Sequence, residues 1–117
     1  MALAVRSIER RLGIELRFRA AKNGELGIAA ALRDRPSVVV ADEIASRAGA
    51  FALAKALRDD NDPYTGIIII LLERKHDAWL AEWSGADAWF VQPVDPFDLA
   101  DRLLELVMRP EMQKESV

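Results

Sequence analysis

The chain contains no cysteine and a single histidine, His76. Disulfides, thiolate metal sites and a cysteine nucleophile are thereby excluded, and one histidine cannot build a histidine metal site. No apolar run approaches the ~20 residues of a membrane span; the longest, Ile67 to Leu72, has the length of a buried strand. No basic, then apolar, then small-residue pattern opens the chain as a secretion signal would, so a cytoplasmic location is expected. The net charge of −3 supplies no electrostatic affinity for nucleic acid. No glycine-rich phosphate loop follows any predicted strand, and no nucleophile–base pair is visible, so the sequence is not read as an enzyme.

What is present suits one compact domain: 117 residues, 51% of them hydrophobic. Val5, Ile8 and Leu12 stand at helical spacing before Gly13. Glu15 to Ala20 alternates apolar and charged residues, the pattern of a half-buried strand. After the Asn23-Gly24 turn, Glu25 to Asp34 carries Leu26, Ile28, Ala29 and Leu32 as a helix closed by Pro36. Ser37 to Ala41 is an all-apolar strand followed by Asp42-Glu43. A helix over Gly49 to Asp59 turns Leu53, Ala54 and Leu57 inward, and Gly66 to Leu72 is a second buried strand. His76 to Ser84 is a short helix ended by Gly85, and Ala88 to Val91 is the last strand. Asp95 and Pro96 then form a helix start, with Phe97, Ala100, Leu103, Leu104 and Val107 inward as far as about Met108. The reading is a domain over 1–108 and a polar tail over 109–117.

Strands alternating with helices predict an open parallel sheet with helices on both faces. In such sheets the chemistry lies outside the carboxyl ends of the strands. Asp42-Glu43, Leu72-Glu73 and Gln92-Pro93 all occupy such ends.

From Glu15 to Val107 the sequence resembles the bacterial response-regulator receiver domain, whose fold is flavodoxin-like (CheY-like). Pro36 to Asp42 is similar to the apolar run that ends in the family's phosphoacceptor aspartate. Ala50-Phe51-Ala52-Leu53 through Leu57-Arg58 is similar to the helix that follows it, and Gly85-Ala86-Asp87 to the turn before the last strand. Gln92-Pro93-Val94-Asp95-Pro96 resembles the family's Lys-Pro-Phe-x-Pro signature. Trp79 to Ser84, with Pro-Val-Asp-Pro after it, is similar to atypical orphan response regulators.

The departures define the functional expectation. The resemblance puts Asp42 at the phosphoacceptor position. The serine or threonine of the family falls on Leu72 (on Ile70 or Leu71 if the loop is aligned differently), and the lysine is Gln92. The family's first strand, with its metal-binding acidic pair, has no counterpart, which leaves about four strands. Three explanations stay open: a start assigned too late, a strand supplied by another chain, or direct pairing of Glu15–Ala20 with Ser37–Ala41. Metal, lysine and hydroxyl stabilise the charge that develops in phosphoryl transfer. Without them Asp42 is expected to be a weak or vestigial acceptor, with no cofactor. If phosphorylation survives, Mg2+ would be held by Asp42 and Glu43.

The expected function is an atypical stand-alone receiver in two-component signalling, acting by protein–protein contact. Its partner would be a histidine kinase, a downstream effector or a second copy. The alternative is a receiver phosphorylated on Asp42 by a histidine kinase; a weaker third reading is a small-molecule sensor at the vacated pocket. Trp83 and Trp89 are the expected partner surface, while Trp79 is expected in the core. His76 is read as a helix-start polar residue, and Arg6, Arg10, Arg11, Arg17 and Arg19 as a solvated face.

Overall fold

The fold is taken from a computed structural model that describes residues 6, 9, 10, 24–46 and 49–108. The ordered elements are α1 (Gly24–Asp34), β1 (Val38–Asp42), α2 (Gly49–Asp59) and β2 (Ile67–Leu72), then a 3-10 turn (Lys75–Asp77), α3 (Ala78–Trp83), β3 (Ala88–Val91) and α4 (Pro96–Val107). Arg6, Glu9 and Arg10 are helical, where a helix was predicted. The rest of that helix, the strand expected at Glu15–Ala20 and the tail over 109–117 lie outside the described residues. The described residues fall into two compact units, one within Phe18–Val94 and another that includes α4.

Among the described residues the sheet has three parallel strands in the order β1-β2-β3, with Ala41 opposite Ile70 and Ile70 opposite Trp89. The β-branched run of β2 is buried on both faces: Ile68, Ile69 and Ile70 are all fully buried. Ile68, Ile70 and Leu72 face one core with Ala41, Ala31 of α1, Ala50, Phe51, Ala54 and Leu57 of α2, and Ala81 of α3. The α2 residues stand at i, i+1, i+4 and i+7, a single helical stripe.

The structure assigns a facing to α1, which the sequence reading leaves open, and changes two that it makes. In α1, Leu26 and Ala29 are exposed, and the inward stripe is Ile28, Ala31 and Leu32. In α3, Ala81 is the fully buried residue. Trp79 and Trp83 each stand two positions from it, about 200° around the helix, so both point outward. Trp79 is 64% exposed, so the expectation that it belongs to the core is corrected. In α4, Leu99, Ala100 and Leu106 are buried while Phe97 and Val107 are exposed. That stripe is as helical as the predicted one but rotated about the axis, because α4 is apolar over more than half its circumference.

The helix ends follow local chemistry. The Asp95 Oδ1 accepts from the Phe97 N–H at 2.8 Å, with Pro96 in the first turn. Gly85 takes φ 92°, donating to the Glu82 carbonyl while Ala86 donates to that of Ala81, the paired bonds of a Schellman cap. Past α1, Arg35 takes φ 49° without being glycine. Its guanidinium donates to the carbonyls of Leu32, Pro63 and Asp62, bonds that offset the strained backbone.

Arg58, near the end of α2, joins several segments. Its Nε donates to the Gly85 carbonyl at 2.9 Å, one terminal nitrogen to the carbonyls of Tyr64 and Gly66, and the other to Asp87 Oδ2 at 2.9 Å. The same Asp87 oxygen accepts from the Ile68 N–H at 2.8 Å. Tyr64 lies beneath, its hydroxyl donating to the Pro36 carbonyl at 2.6 Å; burial pushes that phenol up to about 12. Replacing Arg58 leaves three carbonyls and a carboxylate short of donors in a half-buried place. Arg58→Ala is therefore expected to cost about 2–4 kcal/mol in urea unfolding, and Arg58→Lys most of that.

Candidate functional site

The sheet's carboxyl-terminal rim is extended by one residue past β1 and past β3. The Glu43 N–H donates to the Leu71 carbonyl and the Gln92 N–H to the Leu72 carbonyl, both at 2.9 Å. The ladder thus carries Asp42, Glu43, Leu72, Glu73 and Gln92 to one edge, and the Gln92–Pro93 peptide there is cis.

Asp42 is held through one oxygen. Its Oδ1 accepts from the Ile44 N–H at 2.9 Å and the Ala45 N–H at 3.1 Å, the turn an aspartate makes with the two residues ahead of it. The same oxygen accepts from Gln92 Nε2 at 2.8 Å, across fifty positions of sequence. The Asp42 carbonyl accepts from Ser46, through Oγ at 2.6 Å and through its N–H at 2.9 Å. Asp42 Oδ2 takes no hydrogen bond among the described residues.

Of Asp42, Leu72 and Gln92, the structure joins two. Asp42 and Gln92 meet directly. Leu72 is fully buried and packs in the core, so only its carbonyl serves the rim, as acceptor for Gln92. A neutral amide therefore stands where a cation would compensate the carboxylate. The sequence placed Gln92 at the rim but did not disclose this partner.

Glu43 has a role that the sequence did not disclose. It is buried, and its Oε2 accepts from the Glu73 N–H at 2.5 Å, tying the loop after β1 to the loop after β2. Burial pushes its carboxyl above the usual range against the pull of that N–H, and the neighbouring Asp77 and Glu73 carboxyls push it the same way. An acid directly after a strand-end aspartate was the available signal; its inward turn was not legible.

The tryptophans separate. Trp83 is 57% exposed, with the Lys55 ammonium 5.0 Å from its ring centroid. Trp89, paired with Ile70 in the sheet, packs partly buried against the core, so it is not an exposed partner of Trp83. His76 lies in the 3-10 turn, 3.7 Å from Asp77.

No family model matches the chain. Over 73 residues it is 36% identical to uncharacterized response regulatory proteins from two strains of Mycobacterium tuberculosis, covering 62% of this chain and 54% of each relative. The chain thus spans about half the length of the curated relatives it matches. A signal receiver domain from Bermanella marisrubri superposes with TM-score 0.71 at 22% identity, over 92% of this chain and 88% of that one. The receiver domain of a histidine kinase from Syntrophus aciditrophicus gives 0.69 at 23% identity, over 93% and 85%. The Vibrio cholerae chemotaxis protein CheY4 gives 0.62 at 21% identity, over 91% and 90%. The fold is that of the response-regulator receiver domains, as the resemblance implied, and among the described residues no helix is long and apolar enough to cross a membrane.

The Glu43 arrangement has a consequence in pH. The folded state holds the Glu43 proton more tightly than the unfolded chain does. Its stabilising contribution is therefore complete below the ordinary glutamate range and is lost as pH rises through the raised value. Glu43→Gln keeps an acceptor for the Glu73 N–H and cannot ionise. Its unfolding free energy is expected to exceed the parent's at neutral pH and to converge with it toward pH ~4, read by denaturant melts across pH.

Proposed function

We propose that this chain is an atypical receiver module in two-component-type signalling, working by protein contact with Asp42 phosphorylated little or not at all. The observation that carries the reading is the Gln92 amide bonded to Asp42 Oδ1 at 2.8 Å. A phosphorylated side chain carries about −1.5 to −2 charges at neutral pH. An amide dipole in the place of an ammonium offers little against that, and Leu72 offers no hydroxyl. Loss of a single stabilising contact of this kind typically slows a reaction by roughly 10²–10³-fold.

The fit of a divalent cation supports the same reading. Asp42 Oδ1 already accepts three hydrogen bonds and Glu43 Oε2 accepts from the Glu73 N–H, which leaves chiefly Asp42 Oδ2 toward an ion that demands octahedral oxygen ligation. Burial also favours the protonated form of Glu43, the wrong state for a hard cation. Among the described residues no group of three or more acidic, histidine or cysteine side chains could hold a metal ion. The Asp42–Glu43 pair does not fit Mg2+.

Output by contact is then the remaining route, toward a histidine kinase or a downstream effector. With Trp89 packed inward, Trp83 and Trp79 are the aromatic part of that edge able to meet another protein. Incubation with acetyl phosphate and Mg2+, followed by intact-mass measurement, is expected to leave the chain without a stoichiometric phosphoryl adduct. An adduct that forms on the parent and disappears in Asp42→Asn would instead establish a phosphorylated receiver.

A further inference from the structure

We propose that Glu43 and Asp77 form a proton-operated latch that decides whether the first turn of α3 is capped or uncapped. Phosphorylation of Asp42 and the identity of any partner play no part in it. Two aspartates of this chain stand directly ahead of a helix, and only one of them caps. Asp95, with extended backbone at φ −70° and ψ 120°, accepts from the N–H two residues on, that of Phe97. Asp77 precedes α3 with φ −85° and ψ 0°, and its side chain makes no capping bond.

The Asp77 backbone continues the 3-10 turn instead. Its N–H donates to the Arg74 carbonyl at 3.1 Å, and the Ala78 N–H donates to that of Lys75. The Asp77 carboxyl is turned to the buried Glu43 carboxyl and shares a hydrogen bond with it. Two carboxyls bond only across a proton, so this contact exists while Glu43 holds one. The uncapped start of α3 and the Glu43 proton therefore belong to one state. The groups around the pair set the sense of the latch. Glu43 Oε2 has the Glu73 N–H, and the Glu73 carboxyl close by opposes ionisation. Asp42 comes directly before Glu43, its Oδ1 already taken by three donors, among them the neutral Gln92. His76 Nε2 stands 3.7 Å from Asp77 Oδ1 and is the one basic side chain paired with either acid among the described residues.

As pH rises through the raised Glu43 value, the proton leaves, and two carboxylates that shared it repel each other. Asp77 is the more exposed of the two and is the one released. Within its reach are the first N–H groups of α3, which have no acceptor inside the helix and lie at its positive end. By the pattern of Asp95 and Phe97, the released carboxylate caps the Trp79 N–H. The cap takes the place of the 3-10 bond from Ala78, an exchange of bonds of similar worth, so the proton decides which is made. The first turn that carries Trp79 is then re-set, and the exposed edge of α3 becomes sensitive to pH.

Amide NMR of the full chain in EDTA, titrated from pH about 4 to 8, reads the Trp79 backbone N–H directly. A downfield shift is expected, with one midpoint above the ordinary glutamate value of about 4.3. Glu43→Gln keeps a bond to Asp77 without an ionisable proton and should hold the Trp79 amide at its low-pH position throughout. Asp77→Ala should abolish the shift. His76→Gln, which removes the other titrating side chain beside Asp77, should retain it. Circular dichroism checks folding; if Glu43→Gln is misfolded, Asp77→Ala and His76→Gln carry the test. A Trp79 amide that does not move, a shift unchanged in Glu43→Gln or Asp77→Ala, or a shift lost in His76→Gln would overturn the latch. None of these results bears on phosphorylation of Asp42, which is settled separately by mass.

Discussion

The register between β2 and β3 depends on the ion pair of Arg58 and Asp87. Asp87 sits just before β3, its N–H donating to the Ile68 carbonyl and its carboxylate accepting from the Ile68 N–H. Arg58 holds that carboxylate while gripping the carbonyls of Gly66, on the approach to β2, and Gly85, on the approach to β3. Both strands are thereby aligned at their amino-terminal ends. A slip of one residue would turn every side chain of β3 to the opposite face. Trp89 would leave the core, and Gln92 would no longer donate to Leu72 and Asp42. The chemistry of one rim is thus set by a guanidinium at the other. Gly85 serves the same end, since a Cβ there would meet Arg58 Cγ at 2.6 Å.

That far rim gathers carboxyl groups. Asp42, Glu43, Glu73 and Asp77 stand on or beside it, and the side chain that reaches Asp42 is a neutral amide. The charge is managed in two ways. Asp42, partly exposed, is satisfied by two loop N–H groups and Gln92. Glu43, buried, is satisfied by one N–H, while burial and the neighbouring carboxyls raise its affinity for a proton. A site built this way is stable as it stands, and adding negative charge to it works against both devices. The acid beside Asp42 looks like a spare metal ligand in the sequence, but in the fold it is a tie between two loops.

Where one local rule dominated, the sequence was legible. The apolar runs of β1 and β2 have no other stable use than burial between layers. The Asp95-Pro96 start and the Gly85 stop are dictated by backbone donors and by a left-handed φ. Facing was less legible wherever a helix is apolar nearly all round. α3 offers Ala78, Leu80 and Ala81 as well as two tryptophans, and of the tryptophans Trp79 was expected in the core. The core took the small residues instead, because α3 is six residues long and Ala81 lets it pack closely against the sheet. The same ambiguity rotated α4. Arg58 was legible only as one member of a family pattern. Its four acceptors come from two segments, up to 29 positions away, and no local periodicity announces them.

These features bear on how such a module could be controlled. A modification shifts an equilibrium only by its differential free energy between two states. At this rim Leu72 is turned into the core, and Gln92 is already committed to Asp42. Trp89 packs with Ile70 and the core, so a rotamer change there would have to open packed volume. An outward face at Trp79, Trp83 and Lys55 needs none of these movements, because it is exposed in the state described. A surface that is always formed is regulated by the concentration of what binds it. On the proposed reading, the neutral amide of Gln92 at the rim and the two outward indoles of α3 serve one mode of action, contact without phosphoryl switching.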